Sequence, residues 1–85
     1  MGPAVLALSL VDGDARPVRG ARFRIEGDMT HAGMRPIAAE VTPHADGRYE
    51  ARLTFTMAGD WVLLVRADWA EGRRLERSIP VRVGP

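Results

Sequence analysis

The 85-residue sequence contains no cysteine, no lysine and only five aromatic side chains. Without cysteine, neither a disulfide bond nor a thiolate metal site can hold the fold together. No stretch approaches the ~20 consecutive apolar residues that a membrane-spanning helix needs. Because 46% of the residues are nevertheless apolar, we expect a single small domain over residues 1-85 that depends on a packed core.

An excess of charge of one sign is also lacking. Twelve arginines and eleven acidic residues give a net charge of +1, and the two signs are interleaved along the chain. Nucleic-acid-binding domains usually carry a strong basic excess on one face. The sequence therefore argues against a nucleic-acid partner, and arginine without lysine indicates a composition bias more than a phosphate site.

The residue combinations of common enzymes are missing as well. There is no cysteine nucleophile, no glycine-rich phosphate loop and no His-Glu metal motif. Ser9 and Ser78 fall within strand patterns and have no base and orienting group in a recognisable arrangement. We therefore expect no catalytic residue, no organic cofactor and no enzymatic activity.

What the sequence does contain is an alternation of apolar and polar residues with a period of two. This pattern is typical of β-strands with one buried and one exposed face. It predicts that the following residues face inward: Leu6, Leu8 and Leu10; Ala21, Phe23 and Ile25; Ile37, Ala39 and Val41; and Tyr49, Ala51, Leu53 and Phe55.

Two further runs differ from this simple alternation. In the run from Trp61 to Val65, the residues at both odd and even positions are apolar. This predicts the most buried strand, covered on both faces or nearly so. In the last run Pro80 has no N–H to donate, which predicts that this strand lies at an edge or turns its outward side to solvent there. The inward-facing residues of that run are predicted to be Ile79, Val81 and Val83.

Turn signals separate the runs. Ala45-Asp46-Gly47 predicts a tight hairpin, because Asp-Gly readily takes positive φ angles. With further turns at 12–20, 58–60 and 70–73, six or seven short strands at about ten-residue spacing predict an all-β sandwich or small barrel. A short helix over 36–41 is the alternative there, and the alternation of that segment favours a strand.

The connection from Gly27 to Pro36 is long for a hairpin loop, and it holds two of the four methionines and one of the two histidines. Thioether sulfur is a soft metal ligand and imidazole a borderline one, and together they suit Cu(I). We therefore predict that Met29, His31 and Met34 close on one copper ion.

The fourth ligand depends on topology. If consecutive strands run up and down, the 27–36 loop and the 56–60 turn lie at the same end of the domain, and His44 lies at the other end. This arrangement favours Met57 over His44. Each residue also has a structural interpretation: the methionines can cap the end of the core, and His44 can be a solvated side chain.

Three motifs follow one another along the chain: the Met/His loop before Pro36, DGxY at Asp46–Tyr49, and FxMAGxW at Phe55–Trp61. In this order they resemble the YtkA-like and FixH-like domains of bacteria. The similarity extends from about Leu10 to Val83, and its most specific part is the stretch DGRYEARLTFTMAGDW.

The resemblance implies an immunoglobulin-like antiparallel β-sandwich of six to seven strands, placed outside the bacterial cytoplasmic membrane. Carried across residue by residue, the loop match gives Met29, His31 and Met34 as metal ligands, and the MAGxW match adds Met57. Residues 1–4 lack the features of a signal peptide. We therefore expect membrane attachment only through a segment absent from this chain.

Two functions stay open at this point. The first, implied by the resemblance, is an extracytoplasmic Cu(I) carrier or delivery module for haem-copper oxidase assembly. Its partner would be a membrane-bound oxidase subunit or another copper carrier. The second is a metal-free accessory domain that docks on a membrane protein complex through a sheet edge or the methionine loop. Cu(I) binding that depends on the loop residues distinguishes the two.

Overall fold

The computed structural model describes residues 2–29 and 33–84. These residues form seven β-strands and one turn of 3-10 helix, which comprises Ala70–Gly72. The strands are β1 (Gly2–Ser9), β2 (Arg22–Met29), β3 (Ile37–Ala38), β4 (Glu40–Pro43), β5 (Arg48–Phe55), β6 (Gly59–Trp69) and β7 (Arg73–Val83).

The strands form two antiparallel sheets that pack face to face. One sheet has three strands in the order β1-β5-β4, and the other has four in the order β3-β2-β6-β7. Both sheets contribute to the core cluster of Ile25, Ala51, Leu53, Phe55, Trp61, Leu63 and Val65. This antiparallel β-sandwich confirms the predicted fold class. In the described part of the chain, no helix has the length and apolar character needed to cross a membrane.

Strand β5 shows most directly why the sequence folds this way. Its four alternating apolar residues, from Tyr49 to Phe55, are all buried, whereas Arg52 and Thr54 between them are exposed. Burying one face of a pleated strand removes its apolar surface from water and leaves the charged residues solvated. The predicted inward residues of β1 and β2 follow the same alternation.

The segment from Ile37 to Val41 differs from the prediction of one continuous strand. Ile37–Ala38 pairs with β2 in the four-stranded sheet, whereas Glu40–Pro43 pairs with β5 in the other sheet. Between them, the Ala39 N–H donates to the Ile25 carbonyl at 3.0 Å. The segment is extended rather than helical, but it crosses from one sheet to the other at Ala39.

Strand β6 is buried on one face only, so the prediction that both of its faces are covered was wrong. Trp61, Leu63 and Val65 are buried, but Leu64 is 40% exposed. The reason is that nothing in the described residues packs over the outer face of the four-stranded sheet. The edge position predicted from Pro80 is confirmed, because β7 is the outermost strand of that sheet.

The predicted Asp-Gly hairpin joins β4 to β5. Asp46 and Gly47 have φ angles of 61° and 71°, and the Arg48 N–H donates to the Ala45 carbonyl at 3.3 Å. A Cβ on Gly47 would lie 2.9 Å from the Leu10 carbonyl oxygen. Glycine is therefore required both for the backbone angle and for the close approach of the 10–21 segment.

Tyr49 fastens that 10–21 segment to the core. Its hydroxyl donates to the Val18 carbonyl oxygen at 2.7 Å and accepts the Ala21 N–H at 3.2 Å. Its ring packs against Phe23 with ring centroids 4.5 Å apart. A buried hydroxyl with both a donor and an acceptor partner holds the connection between β1 and β2 in one position.

We expect Tyr49→Phe to lower the free energy of unfolding by about 1–3 kcal/mol, because the buried Val18 carbonyl and the Ala21 N–H both lose their partner. Urea unfolding with an unchanged m-value measures this loss. Thr54→Val removes a hydroxyl from an exposed position of the same strand and is expected to change stability by less than about 0.5 kcal/mol. Equal losses in both variants would contradict the role of the Tyr49 hydroxyl.

Candidate metal site

The methionine-bearing end of β2 is more ordered than the sequence indicated. Gly27, Asp28 and Met29 belong to β2, with Asp28 opposite Val62 and Met29 opposite Trp61. The predicted loop therefore began three residues too early. The long partner strand β6 continues the ladder to this point, so Met29 is held by strand pairing and not by a loop.

The two predicted methionine elements do lie at the same end of the domain. Strand directions alternate along the chain, as the prediction assumed, although β5 and β6 belong to different sheets and are not neighbours. Strand β2 pairs antiparallel with β6, so the end of β2 lies beside the start of β6. The Met29 Cε atom is 3.0 Å from the position that a Cβ on Gly59 would occupy.

The FxMAGxW turn presents Met57 above a buried tryptophan. Trp61 is 1% exposed, and its Nε1–H donates to the Met57 carbonyl oxygen at 2.9 Å. The Phe55 and Trp61 rings meet edge to face at a centroid distance of 5.3 Å. This packing fixes the backbone of Met57, while its side chain stays 45% exposed.

The 29–36 segment supplies the other predicted ligands. Met34 is half-buried and lies three residues before Ile37, which is opposite Gly27 in the ladder. Because it belongs to the connection between the end of β2 and the start of β3, Met34 lies at the same end of the sheet as Met29. His31 lies outside the described residues, and its role as a ligand stays a prediction.

His44 lies at the other end of the domain. It precedes the hairpin that begins β5, whereas Met57 follows the end of β5. The eight residues of β5 span roughly 25 Å, so His44 and Met57 cannot share one ion. The His44 Nε2 atom is 3.3 Å from a Glu50 carboxylate oxygen, which gives this histidine a local partner.

The ligands predicted for the Met29 end are mainly methionines, which offer thioether sulfur. Within residues 2–29 and 33–84, no group of three His, Cys, Asp or Glu side chains converges on a point where an ion could bind. Thioethers are soft, neutral ligands that select Cu(I) over hard cations. The assignment of Met29, His31, Met34 and Met57 as its ligands stays a prediction.

Gly59 has a role here that the sequence did not reveal. Its φ angle is +133°, a conformation that side-chain-bearing residues rarely adopt, and the Met29 methyl group packs against it. The only sequence signal was its fixed place in the MAGxW motif. Glycine at this position lets the end of β2 approach the Met57 turn closely.

We expect Gly59→Ala to lower the free energy of unfolding by about 1–3 kcal/mol, since the new Cβ imposes backbone strain and displaces the Met29 methyl group. Gly33→Ala is the matched control, because Gly33 also has a positive φ, of 82°, but no neighbour within 4 Å of its Cβ position. Urea unfolding and ¹³C-methyl NMR of the methionines measure both effects. A Met29 resonance that moves equally in both variants would contradict the proposed contact.

Comparison with known proteins supports one family. The model of the YtkA-like family matches residues 2–66, which include β1 to β5, the Met57 turn and the paired part of β6 beside Met29. Searches of curated proteins and of solved structures return no match. The similarity to FixH-like domains stays a prediction. Since the match covers well over half of the chain, this protein is a member of the YtkA-like family.

Proposed function

We propose that this domain is an accessory module that binds Cu(I) and delivers it on the outer side of a bacterial cytoplasmic membrane. Membership of the YtkA-like family supports an accessory role. The observation that carries the copper proposal is the contact of Met29 with Gly59, which brings one methionine against the turn that bears another, Met57.

The two methionines differ in ways that suit a transfer site. Met29 is half-buried, and packing against the core cluster fixes the position of its side chain. Met57 is nearly half-exposed on a backbone that the Trp61 hydrogen bond fixes. A partner can therefore reach the outer ligand without unfolding the core. Met34 and His31 would complete the site from the adjoining segment.

Nearby charge also favours a cation at this end. Asp28 immediately precedes Met29, and Asp60 immediately precedes Trp61. Both project from the outer face of the four-stranded sheet beside the methionine pair, and Asp60 pairs with Arg82 at 3.0 Å. Carboxylates are too hard to be preferred Cu(I) ligands. Because the Arg82 guanidinium offsets the charge of Asp60, Asp28 is the carboxylate whose field raises the local concentration of a positive ion.

The partners of such a module follow from its chemistry. A Cu(I) ion held by exchangeable thioethers passes to a site with more or stronger soft ligands. We propose that the recipient or donor is a membrane-bound oxidase subunit or another copper carrier.

We expect one Cu(I) ion to bind per domain in an anaerobic titration against a chromophoric competing chelator. The variant Met29→Leu/Met34→Leu/Met57→Leu conserves side-chain volume and fold while removing every sulfur from the site. Its affinity should fall more than about tenfold, because leucine offers no ligand atom. In the native domain, ¹³C-methyl resonances of Met29, Met34 and Met57 should shift on binding.

His44→Ala serves as the control, because it removes an imidazole at the far end of the domain and is expected to leave Cu(I) binding unchanged. If the native domain takes no copper even from a weak chelator, the carrier function is wrong. The metal-free docking function would then be favoured, and its test is loss of a complex on replacement of the same methionines. Binding lost in His44→Ala but retained in the triple variant would contradict the proposed ligands.

A further inference from the structure

The two sheets have four edge strands, and three of them are protected against pairing with another chain. Strand β3 has two residues and β4 has four, which is too short to offer a continuous ladder. Strand β7 is long, but it carries five charged residues and Pro80. Short length, charge and proline are the usual features that keep an edge strand from associating.

Strand β1 has none of these protections along most of its length. It has eight residues and no charged side chain, and its only proline is near its start. It pairs with β5 alone among the described strands. Val5, in the middle of its outer face, is 61% exposed, the highest exposure among the large apolar residues described as exposed.

The backbone of β1 shows which groups face the open edge. The Leu10 N–H donates to the Gly47 carbonyl at 2.9 Å, continuing the register of β1 against β5. Because N–H groups alternate in direction along an antiparallel strand, the N–H groups of Ala4, Leu6 and Leu8 also point toward β5. The N–H groups of Val5, Ala7 and Ser9 point away from the sheet. The nitrogen of Pro3 points the same way, so the proline removes no hydrogen bond from the β1–β5 ladder.

We propose that β1 pairs antiparallel with β1 of a second copy of this chain, which joins two three-stranded sheets into one six-stranded sheet. A two-fold pairing centred on Ala7 places Val5 opposite Ser9 of the second copy. All three outward N–H groups of each copy, those of Val5, Ala7 and Ser9, then find carbonyl partners. Because β1 has no charge, this self-pairing brings no like charges together.

The expected dimer is weak and reversible. One added strand pair covers less surface than the ~1,200 Å² or more of a typical stable interface. Main-chain hydrogen bonds and the Val5 side chains supply most of the contact. Association should therefore increase with protein concentration.

Sedimentation equilibrium on the whole 85-residue chain, up to millimolar concentration, tests the proposal. We expect a monomer–dimer equilibrium whose dissociation constant rises more than about tenfold in Val5→Lys, because a charged side chain on the pairing edge, opposite Ser9 of the second copy, opposes strand association. The matched control is Thr42→Lys, which puts the same charge on the outer face of the same sheet at its opposite edge strand, β4. It should leave dimerisation unchanged.

A second variant distinguishes the contribution of the β1 backbone from that of the Val5 side chain. Val5→Pro removes an outward N–H without breaking a bond to β5, so the monomer should keep its fold by circular dichroism while the dimer weakens. Amide hydrogen exchange should show concentration-dependent protection of Val5 and Ala7 in the native chain. A monomer at every concentration, or a dimer weakened by Thr42→Lys and not by Val5→Lys, would overturn the proposal.

Discussion

The antiparallel pairing of β2 with β6 is the constraint on which the rest of the structure depends. It forms the centre of the larger sheet and places Ile25, Leu63 and Val65 in the core. It also aligns the end of β2 with the start of β6, although 29 residues lie between Met29 and Gly59 in sequence. Without this pairing there would be neither a buried position for Trp61 nor a methionine pair beside its turn.

Much of the fold was predictable because burial on one face leaves a clear period-two pattern. Tyr49 to Phe55 showed this pattern most fully, and the Asp46-Gly47 turn and the Pro80 edge follow from backbone chemistry at single residues. The same local reasoning failed for Leu64. An apolar residue on the outer face of a sheet is indistinguishable in sequence from one covered by a further layer.

The candidate site was predictable in its residue types but not in its construction. Soft ligands clustered in sequence around Met29 and Met34 pointed to copper chemistry. The contact between Met29 and Gly59, however, depends on pairing between strands far apart in sequence. The division of the Ile37–Val41 segment between two sheets has the same origin, because hydrogen bonding at Ala39 is set by Ile25 on another strand.

The passage of the chain from one sheet to the other at Ala39 has a mechanical consequence. At the β3–β4 edge of the sandwich, the two strands are consecutive parts of one segment. The backbone therefore connects the two sheets covalently at this edge. On the side of β1 and β7, none of the described strands passes from one sheet to the other, and the backbone crosses only at the strand ends, through the 10–21 connection and the turn after β5. Along their length, β1 and β7 are therefore held to the opposite sheet by side-chain packing, and partial opening under stress should begin along that side of the sandwich.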